Sequence, residues 1–416
     1  MPLPARDQGY AVAILMALVH MMVVGDRFLL SILIEPIKVE LALRDGTIGL
    51  LQGPAFAVVN GLAVIPMVLL ARRWSLAWLL AAALAGSSIA TIACGLAGSG
   101  ALLAAARMML GLAQAAIGPA ALGLIVATMT PAHAGRGISM FTGGAALGRG
   151  VAMIGGGALL AIFAGLSGGI APWRMVFVTG GLIGLPLALV LLGLGRSVGA
   201  GRRAGVRIGA ALRHMLAERA VLLPHMLAAL SAVLMAQALT NWAASLLIRL
   251  HGLTPPRAGL YVGLAMMLAG AFGHGLGGLL ADRWGRGAPK LLLLGLAMGT
   301  LALWPLTRTA DLPLALAALV VAAIGLSITL ANGMIGLQSL VPPALRVEAT
   351  AIFLTLVTLL GTALGPWAVG AASQALAHPT GLGKGLADAM GGVLGLTGLV
   401  GCGAALVAAR QRRARG

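Results

Sequence analysis

Twelve stretches of about 20 or more apolar residues follow one another along this 416-residue chain, at 10–34, 47–71, 75–96, 100–130, 138–164, 172–195, 221–247, 257–281, 288–306, 312–340, 349–375 and 385–409. A helix of that length crosses about 30 Å of hydrocarbon at 1.5 Å per residue, whereas barrel strands would show short alternating runs. The pattern predicts an all-α polytopic membrane protein with 12 transmembrane helices. Charged residues are only 9% of the chain and hydrophobic ones 60%, too little polarity to clothe a water-soluble domain. The first run lacks a small-residue cleavage site and reads as a span, not as a removed signal.

Between the sixth and seventh stretches lies the longest polar interruption, Arg196 to Arg219, with six arginines and a single acid, Glu218. It divides the chain into two six-helix halves, 1–195 and 221–416, joined by a basic connection at 196–220. Alternating the loops between two sides puts eighteen of the 28 basic residues, the connection and the basic tail included, on the side of the termini. Seven fall on the other side and three (Arg27, Arg107, Arg149) within spans. The positive-inside rule then expects both termini in the cytoplasm and the chain in the cytoplasmic, or inner, membrane. The formal charge of +18 is accounted for by orientation, and no nucleic-acid partner is expected. Cys94 and Cys402 fall inside spans and read as small buried residues. The 62 glycines read chiefly as packing residues: GGAALGRGVAMIGGG, from Gly143 to Gly157, offers small faces on which helix backbones can meet.

Charges inside a bilayer cost several kcal/mol and mark functional positions. Counting about 1.5 Å per residue from the outer ends, Asp26 and Arg107 lie at nearly the same depth. Arg27 follows Asp26 by 100° and need not share its face. Arg149 lies near the midplane with no acid within a helical turn. Three arginines against one aspartate predict a site that attracts anions. Arg107, Gly111, Gln114 and Gly118 form one helical stripe. Asn241 and Asn332 join the candidate binding residues, with Asn60, Gln237 and Gln338 as lesser ones; His20, His225 and His274 read as polar groups satisfied in helix contacts.

The loop after the eighth stretch reads GGLLADRWGRGAPK, in which Gly278, Asp282, Arg283, Gly285 and Arg286 fit G-x-L-A-D-R-x-G-R. A carboxylate at a helix end can accept from a neighbouring helix's amides in one conformation and lose that contact in another. The corresponding loop of the first half, PMVLLARRWS, has Arg72 in place of the acid. The motif resembles the gating signature of the major facilitator superfamily. The stretch from Gly25 to Pro66 resembles that superfamily's Spinster-like branch, through Asp26–Arg27, PIKVELAL at 36–43 and GLLQGPAFA at 49–57. ARMMLGLAQAAIGPAA at 106–121, Trp242, LIRLHGL at 247–253 and VPPALR at 341–346 support it.

The resemblance implies two pseudo-symmetric six-helix halves and a secondary transporter of organic anions or amphiphiles, often proton-coupled, whose first and fourth spans line one side of a central cavity, an arrangement that would pair Asp26 with Arg107. Members often carry an acid where this chain has Gln114. Proton coupling would then fall to Asp26, the only carboxylate well inside the hydrocarbon region; an uncoupled facilitator or exchanger is the alternative, and a non-transporting sensor a further one. No G-x-x-x-x-G-K-[ST] loop, H-E-x-x-H or G-x-S-x-G motif occurs, which excludes an ATP-driven pump of that type and leaves no catalytic cluster for an enzyme. The expected partners are a small-molecule substrate, the lipid bilayer and protons, with the chain a monomer and no cofactor or metal required.

Overall fold

The computed structural model describes residues 5–71, 73–166, 168–193, 208–284, 289–376 and 382–413. Among these, twelve helices are long and apolar enough to cross a membrane: spans 1 (Gly9–Ile32), 2 (Asp45–Leu70), 3 (Leu76–Leu96), 4 (Gly100–Thr128), 5 (His133–Leu166), 6 (Pro172–Gly193), 7 (Arg219–His251), 8 (Pro255–Trp284), 9 (Pro289–Arg308), 10 (Leu312–Leu340), 11 (Glu348–Ala375) and 12 (Gly383–Arg412). The chain is a multi-pass membrane protein. Spans 5 and 7 run several residues beyond their expected ends, because apolarity stops before the backbone does. Span 7 carries its helix through Arg249 to His251 and ends only where Gly252 turns left-handed, at φ 64°. Within the basic connection a ten-residue helix forms, Ile208–Ala217.

Proline breaks several spans where carbonyl groups matter later. Span 2 consists of Asp45–Gln52 and Pro54–Leu70, since Pro54 has no amide to donate and disfavours helical backbone at Gly53. Span 4 consists of Gly100–Gln114 and Ile117–Thr128, its break at Ala115 lying four residues before Pro119, whose ring crowds that carbonyl. Span 11 widens into a π-helical turn at Val357–Thr362, four residues before Pro366.

The chain forms two compact units that each borrow a segment from the other sequence half. The first contains Met1–Leu43, Ala55–Ala204 and Thr254–Gly263; the second contains Arg44–Pro54, Gly205–Leu253 and Leu264–Gly416. In the first unit, span 5 presses on span 1 through Gly144 and Gly148, where a Cβ would meet the carbonyl oxygens of Ala17 and Met21 at 2.3 Å. The borrowed start of span 8 lies against span 5 in the same way, with Gly259 beside the Met153 carbonyl.

In the second unit the borrowed helix Asp45–Gln52 lies on span 11, backbone to backbone. A Cβ on Gly49 would stand 2.7 Å from the Pro366 carbonyl, and one on Gly53 2.1 Å from that of Ala363. An ion pair closes this contact: Arg249 donates through Nη1 to Asp45 Oδ2 at 2.7 Å and through Nη2 to Oδ1 at 2.9 Å. Ser373 on span 11 donates to the same carboxylate at 2.7 Å. Both charged side chains are under a tenth exposed, so this forked pair is screened little by water.

Candidate functional site

The first unit gathers Asp26, Arg27 and Arg107 into one polar cluster, with Arg149 near Arg27. Asp26 on span 1 is 5% exposed and accepts from the Ser87 hydroxyl of span 3 at 3.1 Å. The Thr91 hydroxyl, one turn on, lies within reach of the same carboxylate and bonds the Ser87 carbonyl at 3.0 Å. Gln114, at the break of span 4, ties three elements together: its amide donates to the Val23 carbonyl at 2.9 Å and to Ser87 Oγ at 3.1 Å. Its carbonyl accepts from Arg27 Nη2 at 3.3 Å. A continuous chain of hydrogen bonds therefore runs from Arg27 through Gln114 and Ser87 to Asp26. Arg27 does face this cluster, half-buried.

Arg107 is 1% exposed, donates to the Arg27 carbonyl at 3.1 Å and lies within electrostatic reach of Asp26. Both guanidinium groups stand over the ring of Phe56, Arg27 at 4.3 Å and Arg107 at 5.6 Å from its centre. Gly111 places that ring: a Cβ there would lie 2.4 Å from the Phe56 carbonyl, and its own carbonyl accepts from Asn60 at 3.0 Å. Arg149 on span 5 is half-buried and close enough to Arg27 for their charges to repel. It has no hydrogen-bond or ion-pair partner among the described residues. Arg107 thus acts on the Asp26 carboxylate while Arg27 feels the charges of both Arg107 and Arg149, leaving an excess of positive charge that an anion would neutralise.

The other sequence-named residues lie elsewhere. Asn241 and Asn332 belong to the second unit, where Asn241 donates to Gln237 of its own helix and accepts at its backbone carbonyl from Gln52. Asn332 donates to the Gly277 carbonyl at 3.1 Å and so holds span 10 on span 8 just before the motif that begins at Gly278. In that motif Gly278, Asp282 and Arg283 lie on the last turns of span 8, the latter two exposed. Gly285, Arg286 and Arg72 lie outside the described residues. Gln237 and Gln338 bond Thr362 and Thr350, and the three histidines each bond a backbone carbonyl, of Phe141, Gly333 and Gly270. Among the described residues no three His, Cys, Asp or Glu side chains gather so as to hold a metal ion.

Sequence reasoning missed Ser87, Thr91 and Phe56. The polar run GSSIATIAC at 86–94 was the available signal, since Ser87 and Thr91 are one helical turn apart inside an apolar span. Phe56 carried none, because an aromatic in an apolar helix looks like any other core residue.

The sequence matches the family described as Major Facilitator Superfamily over residues 16–366. The chain belongs to the major facilitator superfamily. This superfamily consists of membrane transporters of small molecules, not enzymes. An "MFS-type efflux pump" of Mycolicibacterium smegmatis is 30% identical over 384 residues, covering 90% of this chain and 86% of that protein. Among solved structures, a bacterial homologue of the human lysosomal transporter Spinster, inward-facing and unoccupied, superposes with a TM-score of 0.87 at 23% identity, over 99% of this chain and 98% of that one. A D-xylose–proton symporter superposes with a TM-score of 0.72 at 15% identity, over 96% and 97% of the two chains. At these identities the structural likenesses establish a shared superfamily fold.

Proposed function

We propose that this superfamily member is a secondary transporter of the Spinster-like branch that binds an organic, amphiphilic anion at the Arg27–Arg107–Arg149 cluster and exports it by alternating access. The observation that carries the reading is Arg149: a half-buried guanidinium inside a span, close to the like charge of Arg27, with no protein acid among the described residues to neutralise it. A substrate anion supplies the missing charge, while Phe56 and the apolar helices around it accept a hydrocarbon portion. The efflux-pump relative supports export as the direction. The same proposal has the chain act as a monomer in the inner membrane, with both termini cytoplasmic. A reporter fused after Arg415 should read cytoplasm and one inserted near Gly168 the exterior; the reverse pattern would overturn that orientation.

The experiment uses proteoliposomes and fluorescent lysophospholipids, with movement read by albumin back-extraction. Anionic lysophosphatidylglycerol should move faster than zwitterionic lysophosphatidylcholine. Arg149→Ala should slow the anion about tenfold, the loss of one charge-assisted contact of about 1.4 kcal/mol, and the zwitterion less than twofold. Equal slowing of both would return Arg149 to a structural role.

Proton coupling is proposed at Asp26, the one carboxylate of the cluster, whose bond to the Ser87 hydroxyl, with the Thr91 hydroxyl in reach, can be exchanged as the helices move. Asp26→Asn should then abolish flux driven by an imposed pH gradient and leave substrate exchange. Gln114→Glu should strengthen the pH dependence by adding a second titratable group. The uncoupled reading has its own support, since the Gln114 amide is bonded at both ends and acts as a tie between helices. Wild-type flux that ignores a pH gradient would favour that reading.

A further inference from the structure

We propose that the helix Ile208–Ala217 is a membrane-surface element that docks on the anionic headgroups of the inner leaflet and couples them to the inner end of span 11. One side of it is fixed to the protein. Ala211 and Met215 are buried, and Met215 joins an apolar cluster with Leu222 and Met226 of span 7 and Ala349 and Phe353 of span 11. The adjoining side is apolar and uncovered. Ile208, Leu212 and Leu216 recur every four residues and are 47%, 46% and 55% exposed, an arrangement that water disfavours.

Two features of this face point to a lipid surface as its occupant. The first is charge. Exposed Arg213 and Arg219 border the stripe; Arg213 bonds only the Gly209 carbonyl of its own helix, and Arg219 has no ion-pair partner among the described residues. From Arg196 to Ala217 the sequence holds five arginines and no acid. A basic face beside an aliphatic stripe is what an interfacial helix offers to anionic lipid, at about 1 kcal/mol per basic residue near the surface.

The second is continuity. Backbone bonding carries on through Glu218, whose amide donates to the His214 carbonyl at 2.9 Å, into span 7. Two turns beyond Leu216 come Leu223 and then Leu227, 63% and 42% exposed on a membrane-spanning helix, where the surroundings are acyl chains. The aliphatic stripe of the connection thus prolongs a lipid-facing surface toward the cytoplasmic headgroups.

The test uses the full chain in nanodiscs, with Cys94→Ala and Cys402→Ala as background and an environment-sensitive NBD dye on Leu212→Cys or on Ala217→Cys, which faces away from the stripe. Headgroup-level nitroxide lipid should quench the Leu212 dye at least twofold more in nanodiscs containing phosphatidylglycerol than in pure phosphatidylcholine. Arg213→Gln with Arg219→Gln should bring that quenching down to the phosphatidylcholine level, and the Ala217 dye should be quenched least throughout. Equal quenching at the two positions, or quenching at Leu212 indifferent to lipid charge and to the two arginines, would overturn the proposal.

Discussion

Arg107→Met should abolish transport and lower the stability of the folded protein by about 3–5 kcal/mol, the usual cost of removing one member of a buried charge cluster. The side chain is 1% exposed, donates to the Arg27 carbonyl and lies beside Asp26. Its loss leaves a buried carbonyl without that donor and a buried carboxylate without its neighbouring charge. The double variant Asp26→Asn with Arg107→Met separates structure from function. Removing both charges should recover a large part of the stability, with a coupling energy above about 0.5 kcal/mol, because the two residues share one network. Transport should stay lost, because the anion's positive counterpart is gone. Unfolding in detergent, followed by tryptophan fluorescence, measures the first effect and proteoliposome flux the second. Strictly additive stability losses would show that Arg107 acts on span packing alone.

A comparably large effect is expected at Asp45 and Arg249. Arg249→Met should destabilise the second unit by about 3–5 kcal/mol, because Asp45 keeps the Ser373 hydroxyl but loses both guanidinium bonds in a site under a tenth exposed. Asp45→Asn should cost less, since its amide still offers an oxygen to Arg249. Transport should fall in both variants, for Asp45–Gln52 is the first part of span 2 and its continuation from Pro54 carries Phe56, against whose ring the arginines stand. A thermal unfolding midpoint unchanged in Arg249→Met would contradict the assignment of this pair as a principal tie of the second unit.

The sequence showed some of this plainly and hid the rest for physical reasons. Twelve apolar stretches announced twelve helices because hydrocarbon imposes both length and apolarity on each of them. Residue counting put Asp26 and Arg107 at one level, and the two do lie within electrostatic reach of each other; Gly144 and Gly148 do bring spans 5 and 1 together. Sequence reasoning ran 47–71 and 100–130 as unbroken spans and missed the helix breaks at Gly53 and after Gln114, for which Pro54 and Pro119 carried the signal. The Asp45–Arg249 pair was not readable: 204 residues separate its members, and each sits among loop charges that look solvated. Nor was the role of Ser87, since a hydroxyl in a transmembrane helix bonds its own backbone as readily as a neighbour. The exchange of segments 44–54 and 254–263 between the units escaped too, because a glycine face does not name the helix it meets.

The central claim is that the arginine cluster of the first unit binds an anion. The measurement that tests it most directly is equilibrium binding of lysophosphatidylglycerol and lysophosphatidylcholine to the purified protein in a neutral detergent, for the wild type and for Arg149→Ala. The account predicts at least tenfold tighter binding of the anionic lipid by the wild type, a preference that falls below threefold in the variant while zwitterion binding is kept. Equal affinity of the wild type for the two lipids, or a preference that survives the loss of Arg149, would contradict it.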